Sequence, residues 1–263
     1  MKPKERRFTR DVIIDADHIL YTVASPPSKD WKGSLKGKSI SAPSSGIKKL
    51  KIAFLSIIRS YEDIAQVEGV MQGYKIGKTR IVISDKSNFR YDVFPDYKAN
   101  RKGKEHTEEF LKLRKWARKK FAPKQNIEAD DMCAYYVRKG GVGFTQDKDL
   151  TKGVAGIWYD SYHTRKCWVY TSEASATRFN YLQYVAGDLG DGIRGIEGIG
   201  FVKAETLLND HGWNWKGVVS IYQSKGYDEY DAIMTCRLTS MKQWSPKKGL
   251  KLFNGEKKCL VKK

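Results

Sequence analysis

The stretch Arg10-Asp11-Val12-Ile13-Ile14-Asp15 is apolar, β-branched and short, and it stops on a carboxylate. That reads as a buried strand, because branched side chains lose rotamer freedom on a helix and pack well on a pleated surface. The pattern returns at Thr79-Arg80-Ile81-Val82-Ile83-Ser84, followed by Asp85, and more weakly at Val142-Gly143-Phe144-Thr145, which ends before Asp147. Between the first two runs, Leu50, Phe54, Ile57, Ile58, Tyr61 and Ile64 recur at helical spacing within residues 47–72, closed by Gly73 and Gly77. Strands separated by helices predict an α/β core with a mainly parallel sheet. Ligands in such sheets bind outside the carboxyl ends of the strands, which is where these acids fall.

A central helix capped by Thr107 is expected within the charged segment 95–124, and further helices over 129–139, 177–186, 202–209 and 229–241. The first carries Phe110, Leu111, Leu113, Trp116 and Ala117 on or near one face. Ile157-Trp158-Tyr159 and Cys167-Trp168-Val169-Tyr170 read as a pair of strands. Residues 25–46, rich in Ser, Pro, Gly and Lys, are expected to be a mobile basic loop, and the Lys-rich C-terminus to fray.

A chain of 263 residues with 40% hydrophobic and 12% aromatic content is too apolar for intrinsic disorder and long enough for a real core. No apolar run nears the roughly 18–20 residues of a membrane helix, and the basic N-terminus lacks a signal-peptide core. The four cysteines are widely spaced and form no C-x-x-C pair, which fits a reducing cytoplasm. The strongest global feature is charge. Forty-nine Lys and Arg against 30 Asp and Glu give +19, an excess suited to a polyanion, nucleic acid before membrane.

Within so basic a chain, ten acids stand in tight groups. They are Asp15 and Asp17; Asp85; Glu128, Asp130 and Asp131; Asp147 and Asp149; Asp188 and Asp191. Glu128 and Asp131 on a first helical turn would share one face near the favourable end of the helix dipole. Asp147 and Asp149 would share a face if they lay on a strand, and Asp188 and Asp191 would face one point from a turn. A single Asp at a strand end is ordinarily a cap or turn former. Four groups in succession point instead to cations, since packed carboxylates repel unless protonated or bridged. All-oxygen donors select hard ions such as Mg²⁺ or Mn²⁺, and two such ions about 3.5–4 Å apart can cleave a phosphodiester.

Gly187-Asp188-Leu189-Gly190-Asp191-Gly192-Ile193-Arg194-Gly195-Ile196-Glu197-Gly198-Ile199-Gly200 is the most informative run. Gly195, Gly198 and Gly200 ahead of a helix start would let backbone amides approach a phosphate, with Arg194 and Lys203 on either side. No strand is expected to lead into them, which excludes a dinucleotide fingerprint. Lys112, Arg114, Lys115, Arg118, Lys119 and Lys120 are expected to line a nucleic-acid channel, and Trp116 to pack. His18, His106, His163 and His211 show no metal-like pairing and read as ordinary.

Phe94-Pro95-Asp96-Tyr97-Lys98-Ala99-Asn100-Arg101-Lys102, Glu128-Ala129-Asp130-Asp131, Asp147-Lys148-Asp149 and the glycine-rich run together closely resemble the 5′→3′ exonuclease and flap endonuclease family. The likeness is greatest to its bacteriophage branch and to the 5′-nuclease domain of bacterial DNA polymerase I. It spans about residues 12–212. The resemblance implies a PIN-like α/β nuclease core over 1–186, with a helical arch or gateway at about 95–125, and a helix–three-turn–helix DNA-binding module with a C-terminal helical region over 187–263. It implies a first metal site of Asp15, Asp85, Glu128, Asp130 and Asp131, and a second of Asp147, Asp149, Asp188 and Asp191. Lys98 and Arg101 would act on the scissile phosphate and Tyr97 would stack on a terminal base. The turn at Gly195, Gly198 and Gly200 would hold duplex backbone and, as in some relatives, K⁺. The implied cofactors are two Mg²⁺, with Mn²⁺ able to substitute. The implied partner is DNA with 5′ ends, flaps or junctions, for a monomer working beside a replication polymerase and away from membranes. The arch segment is short for the family, and Val202 stands where close phage relatives carry the first residue of a basic pair.

The expected activity is metal-dependent 5′→3′ exonuclease and flap endonuclease hydrolysis of DNA. Two alternatives stay open: a PIN-like ribonuclease or RNA–DNA hybrid nuclease, and a non-catalytic protein that binds branched DNA.

Overall fold

A computed structural model describes residues 8–24, 34–35, 38–39, 46–101, 106–162 and 165–255. The expected basic loop at 25–46, Lys102, His163 and the Lys-rich end beyond residue 255 lie wholly or largely outside the described residues. The chain divides into two compact units. One takes in residues 1–86 and 104–171, the other 87–103 and 172–263. The second unit thus begins before the expected boundary at 187 and includes the segment that carries Lys98 and Arg101.

The first unit is the expected mainly parallel α/β layer structure. Its order is β1 (Thr9–Asp15), α1 (Asp17–Ala24), a small antiparallel pair β2 (Ser34–Leu35) and β3 (Lys38–Ser39), α2 (Ile47–Gln72), β4 (Lys75–Val82), α4 (Glu108–Phe121), α5 (Ala129–Arg138), β5 (Val142–Thr145), α6 (Lys148–Gly153), β6 (Gly156–Asp160) and β7 (Cys167–Thr171). The sheet runs β4-β1-β5-β6-β7, parallel except at β7. Ile14 pairs with Ile81 on one side and Phe144 on the other. Central strands of a parallel sheet are covered on both faces, and Val12, Ile13 and Ile14 are accordingly fully buried. The helical stripe of α2 packs as expected, with Leu50, Phe54, Ile57, Ile58 and Tyr61 in the core. Strand β4 begins four residues earlier than the apolar run and ends at Val82, so Asp85 lies beyond the strand rather than at its tip.

Thr107 caps α4 by accepting from the amide of Phe110. Phe110, Leu113 and Ala117 fill the core, Trp116 meets Phe54 edge-on, and Leu111 faces solvent. Helix α4 therefore belongs to the packed body of this unit.

The second unit contains α3 (Phe89–Val93), a 3₁₀ turn at Ala99–Arg101, α7 (Glu173–Ala186), the hairpin β8 (Gly187–Asp188) and β9 (Ile193–Arg194) around a 3₁₀ turn at Leu189–Asp191, α8 (Phe201–His211), α9 (Trp215–Ser224), α10 (Glu229–Thr239), and the pair β10 (Trp244–Ser245) and β11 (Gly249–Leu250). Helix α9 has no counterpart among the expected elements, although Asn214 caps it and Val218, Ile221 and Tyr222 are buried. Arg90, buried in this unit, donates to the carbonyls of Leu238 and Ser240 and so ties α3 to the end of α10. Among the described residues no helix is long and apolar enough to cross a membrane.

Candidate functional site

Parallel strands bring their carboxyl ends to one edge of the sheet, and that edge gathers the acids of the first unit. Asp15 ends β1 and is buried. Its Oδ1 accepts from the amide of Asp17 and its Oδ2 from the hydroxyl of Thr145, at the end of neighbouring β5. Asp17 opens α1, and its Oδ2 accepts from the amide of Ser84 beyond β4. The hydroxyl of Ser84 accepts from the amide of Ala129 at the start of α5. Asp85 accepts from the amide of Asn126. One hydrogen-bonded chain thus runs across three of the loops that follow strands.

Three more acids stand at the start of α5. Glu128 occupies the N-cap position without a side-chain capping bond, and Asp130 and Asp131 follow, Asp131 fully buried. A buried carboxylate at a helix N-terminus is favoured by the amide dipoles there. Electrostatics show how near these groups lie. Burial pushes the Asp17 carboxyl up to about 6, and the charge of Asp15 adds to the rise. The Cys133 thiol on α5 is pushed well up, first by burial and then by Asp15, Asp130, Asp17 and Asp131. Arg118 of α4 donates to the carbonyls of Ser84 and Asp85, and it feels both Asp17 and Asp85. It is a fixed counter-charge to the cluster rather than a free channel-lining cation.

Asp147 and Asp149 are not on a strand. Asp147 caps α6 by accepting from the amide of Asp149, which lies in that helix's first turn. The chain turns at Gln146 because the Thr145 hydroxyl accepts from the amide of Asp147.

The remaining expected residues all lie in the second unit, and Asp191 is their hub. Its Oδ2 accepts from the hydroxyl of Tyr97 at 2.9 Å, Lys98 Nζ stands 3.4 Å away, and Arg101 pairs with Oδ1. The amide of Lys98 donates to the carbonyl of Asp191. Lys98 sits at φ 55°, a left-handed conformation that costs an ordinary residue on the order of 1–3 kcal/mol and so marks a constrained position. Asn100, which the sequence did not single out, donates to the carbonyls of Leu189 and Gly190. Asp188 turns inward on its own loop, accepting from the amide of Gly190. Tyr97 is only 2% exposed, packed with Ile193 and Leu238, so it presents no open stacking face; its hydroxyl orients Asp191 instead.

The three glycines of the rich run differ in purpose. A Cβ at Gly195 would fall 2.3–2.5 Å from the backbone of Val185, Ala186 and Gly187, so its smallness seats the turn against the end of α7. Gly198 adopts φ 71°. Gly200 is the N-cap of α8 with open space around it, where backbone amides can be reached. A two-residue strand, β9, does lead into this run, contrary to expectation. Arg194 is exposed, Lys203 reaches back to the carbonyl of Gly198, and Val202 is 81% exposed.

Among the described residues no three Asp, Glu, His or Cys side chains are grouped so as to hold an ion as they stand. The carboxylates point instead to hydroxyl, amide and cationic donors. The donor chemistry nonetheless fits a hard divalent cation. Asp15, Asp17, Asp130 and Asp131 all act on one buried thiol, and all-oxygen carboxylate donors are the ligand type that hard ions such as Mg²⁺ or Mn²⁺ select.

The fold is the one found in solved structures of a phage 5′-exonuclease. Two structures of the phage T5 enzyme, one co-crystallised with metal ions and one with bound zinc, each superpose with a TM-score of 0.57 at 21% identity, over 89% of both chains. A T5 flap endonuclease in complex with DNA and metal ions gives 0.56 at 19% identity, over the same share of each chain. In sequence, the chain is similar to the flap endonuclease of Escherichia phage T5, 28% identical over 180 residues. That match takes in 57% of this chain and spans 61% of the relative's length. No protein-family profile matches the sequence. The likeness read from the motifs to the phage branch of this family is thus met in both sequence and fold.

Proposed function

We propose that this chain is a divalent-metal-dependent 5′-nuclease that hydrolyses DNA phosphodiesters near 5′ ends, flaps and junctions. The observation that carries the reading is the acidic edge of the first unit, where Asp15 ends β1 beside Asp17 and the charges of both, with those of Asp130 and Asp131, reach one buried thiol in a chain of net charge +19. A basic surface suits the phosphates, while concentrated carboxylates suit the ion that polarises them. The similarity to a phage flap endonuclease supports the same activity.

Asp15, Asp85, Glu128, Asp130 and Asp131 would hold one Mg²⁺. Asp147, Asp149, Asp188 and Asp191 would serve a second. Bound divalent ions supply Lewis acidity and a water of lowered pKa. The chain's own residues do the rest. Lys98, whose amide and ammonium are both referred to Asp191, offers a fixed positive charge to the phosphate as negative charge builds on it. Arg101 offers a planar guanidinium suited to two phosphate oxygens. The open N-terminus of α8 at Gly200, with Arg194 and Lys203, would hold the backbone of the downstream duplex.

The test is a 5′-labelled DNA flap, a nicked duplex, a single strand and a matched RNA flap, each incubated with Mg²⁺ or with EDTA. The proposal expects Mg²⁺-dependent cleavage of the DNA flap close to the junction and none in EDTA. Preferential cutting of the RNA flap would instead make the protein a ribonuclease. Binding of the flap without cleavage would make it a branched-DNA-binding protein.

A further inference from the structure

One histidine that reads as ordinary in the sequence is built into the acidic edge. His18, in the first turn of α1, has a side chain only 9% exposed. Its Nε2 lies 3.1 Å from the hydroxyl of Tyr61 on α2 and 3.3 Å from the hydroxyl of Ser161, just beyond β6. Ser161 is itself anchored, since its hydroxyl donates to the carbonyl of Thr145. Nε2 thus lies against hydroxyls from two separate parts of the first unit; with the Ser161 proton given to Thr145, its hydrogen bond comes from Tyr61 when that hydroxyl donates. The other, Nδ1, is buried without a hydrogen-bond partner and stands 3.6 Å from Oδ2 of Asp15.

An unpartnered buried ring nitrogen is costly to retain, and such atoms call for an explanation at a site. Here the explanation lies in what it faces. Asp15 Oδ2 accepts from the Thr145 hydroxyl, and His18 of α1 stands beside the same oxygen. Histidine and hydroxyl groups behind a carboxylate ligand fix its rotamer and tune its basicity, and their loss ordinarily weakens metal binding.

We propose that His18, held by Tyr61 and Ser161, is a positioning residue for Asp15, keeping that carboxylate aimed at the metal centre. The inference rests on the reading of Asp15 as a metal ligand. Tyr61 suits the supporting role. It is buried, stacks on Phe144 of β5, and burial keeps its hydroxyl protonated up to about 12, so it stays a donor.

The experiment is Mn²⁺ binding to the full chain, measured by calorimetry and by the loss of the free-ion electron paramagnetic resonance signal, without DNA. Thermal unfolding of the metal-free protein is recorded alongside. His18→Ala is expected to weaken Mn²⁺ binding by about 10–100-fold. Tyr61→Phe, which removes only the supporting hydroxyl, should weaken it by less, and His18→Asn, which restores a short polar group beside Asp15, should recover part of the loss. A purely structural histidine would lower the unfolding temperature and leave affinity unchanged; that result, in His18→Ala or, should that variant not fold, in Tyr61→Phe, would overturn the proposal. Asp15→Asn is the control that separates the two readings. Lost binding in Asp15→Asn with wild-type binding in the His18 and Tyr61 variants would remove the brace alone. Wild-type binding in Asp15→Asn would remove the metal assignment on which it rests.

Discussion

The two units treat their acids in opposite ways. In the first, Asp15 accepts from the amide of Asp17 and the hydroxyl of Thr145, Asp17 accepts from the amide of Ser84, and the charges of all four of Asp15, Asp17, Asp130 and Asp131 reach the buried Cys133 thiol. Burial, and after it the charge of Asp15, raises the Asp17 carboxyl, against the opposing pull of Ser84 and Arg118. In the second, Asp191 is surrounded by donors that satisfy it: Lys98, Arg101 and the hydroxyl of Tyr97. The same residue type thus accepts from neutral groups at Asp15 and Asp17 and from two cations at Asp191. The first arrangement is where we propose one ion binds; in the second, two cations already hold an acid proposed to serve the other ion.

This contrast sets an order of effects. The largest should come from the first unit: Asp131→Asn is expected to lower DNA cleavage on the order of 10³-fold or more, the several kcal/mol that a bound ion contributes to charge stabilisation. Flap binding, measured in Ca²⁺, should survive. Next comes Lys98→Ala, which should reduce kcat by about 10²–10³-fold with a much smaller change in KM, as for loss of one charge-stabilising group. An equal loss in KM with kcat intact would make Lys98 a binding residue and blur the contrast. Asp191→Asn tests the anchor itself. It should lower kcat less than Lys98→Ala and leave the first ion's affinity unaltered in a Mn²⁺ titration.

Smaller effects separate folding from contact. Gly195→Ala should destabilise the protein by about 1–3 kcal/mol, because the new methyl would meet backbone that has nowhere to move. Gly200→Ala, in open space, should leave the unfolding temperature almost unchanged and weaken duplex binding. The smallest effect concerns pH. The Asp17 carboxyl rises from 3.8 to about 6 on folding, so well below pH 3.8 both states are protonated and folding bears no penalty. Between pH 4 and 6 the unfolded chain releases this proton while the folded chain keeps it, and stability falls as pH rises. Metal-free Asp17→Asn should therefore melt higher than the wild type at pH 7 and level with it near pH 3.5, by calorimetry.

Much of this was legible before any coordinates. The β-branched runs ending on Asp15 and before Asp147 announce strands because burial on both faces of a parallel sheet leaves no room for alternation. The stripe from Leu50 to Tyr61 fixes α2 for the same reason, that a helix must bury one face. What escaped was long-range. Asp147 and Asp149 look like strand neighbours by spacing, yet the Thr145 hydroxyl captures the chain and starts a helix. Tyr97 looks like a stacking platform until its burial against Ile193 and Leu238 is seen. Helix α9 hides because Trp215, Lys216 and Gly217 interrupt the apolar rhythm at its start, although Asn214 before them was a readable cap. His18 carries no local signal at all, since Tyr61 and Ser161 lie far away in sequence.

The most direct test is anomalous diffraction from crystals of the metal-free protein soaked in Mn²⁺. The account predicts a peak at the carboxyl edge of the sheet, about 2.1–2.2 Å from oxygens of Asp15 and of the α5 acids, with Asp17 and Asp85 close by. A protein that binds Mn²⁺ elsewhere, with Asp15 still turned to Thr145 and no ion beside it, would contradict the account.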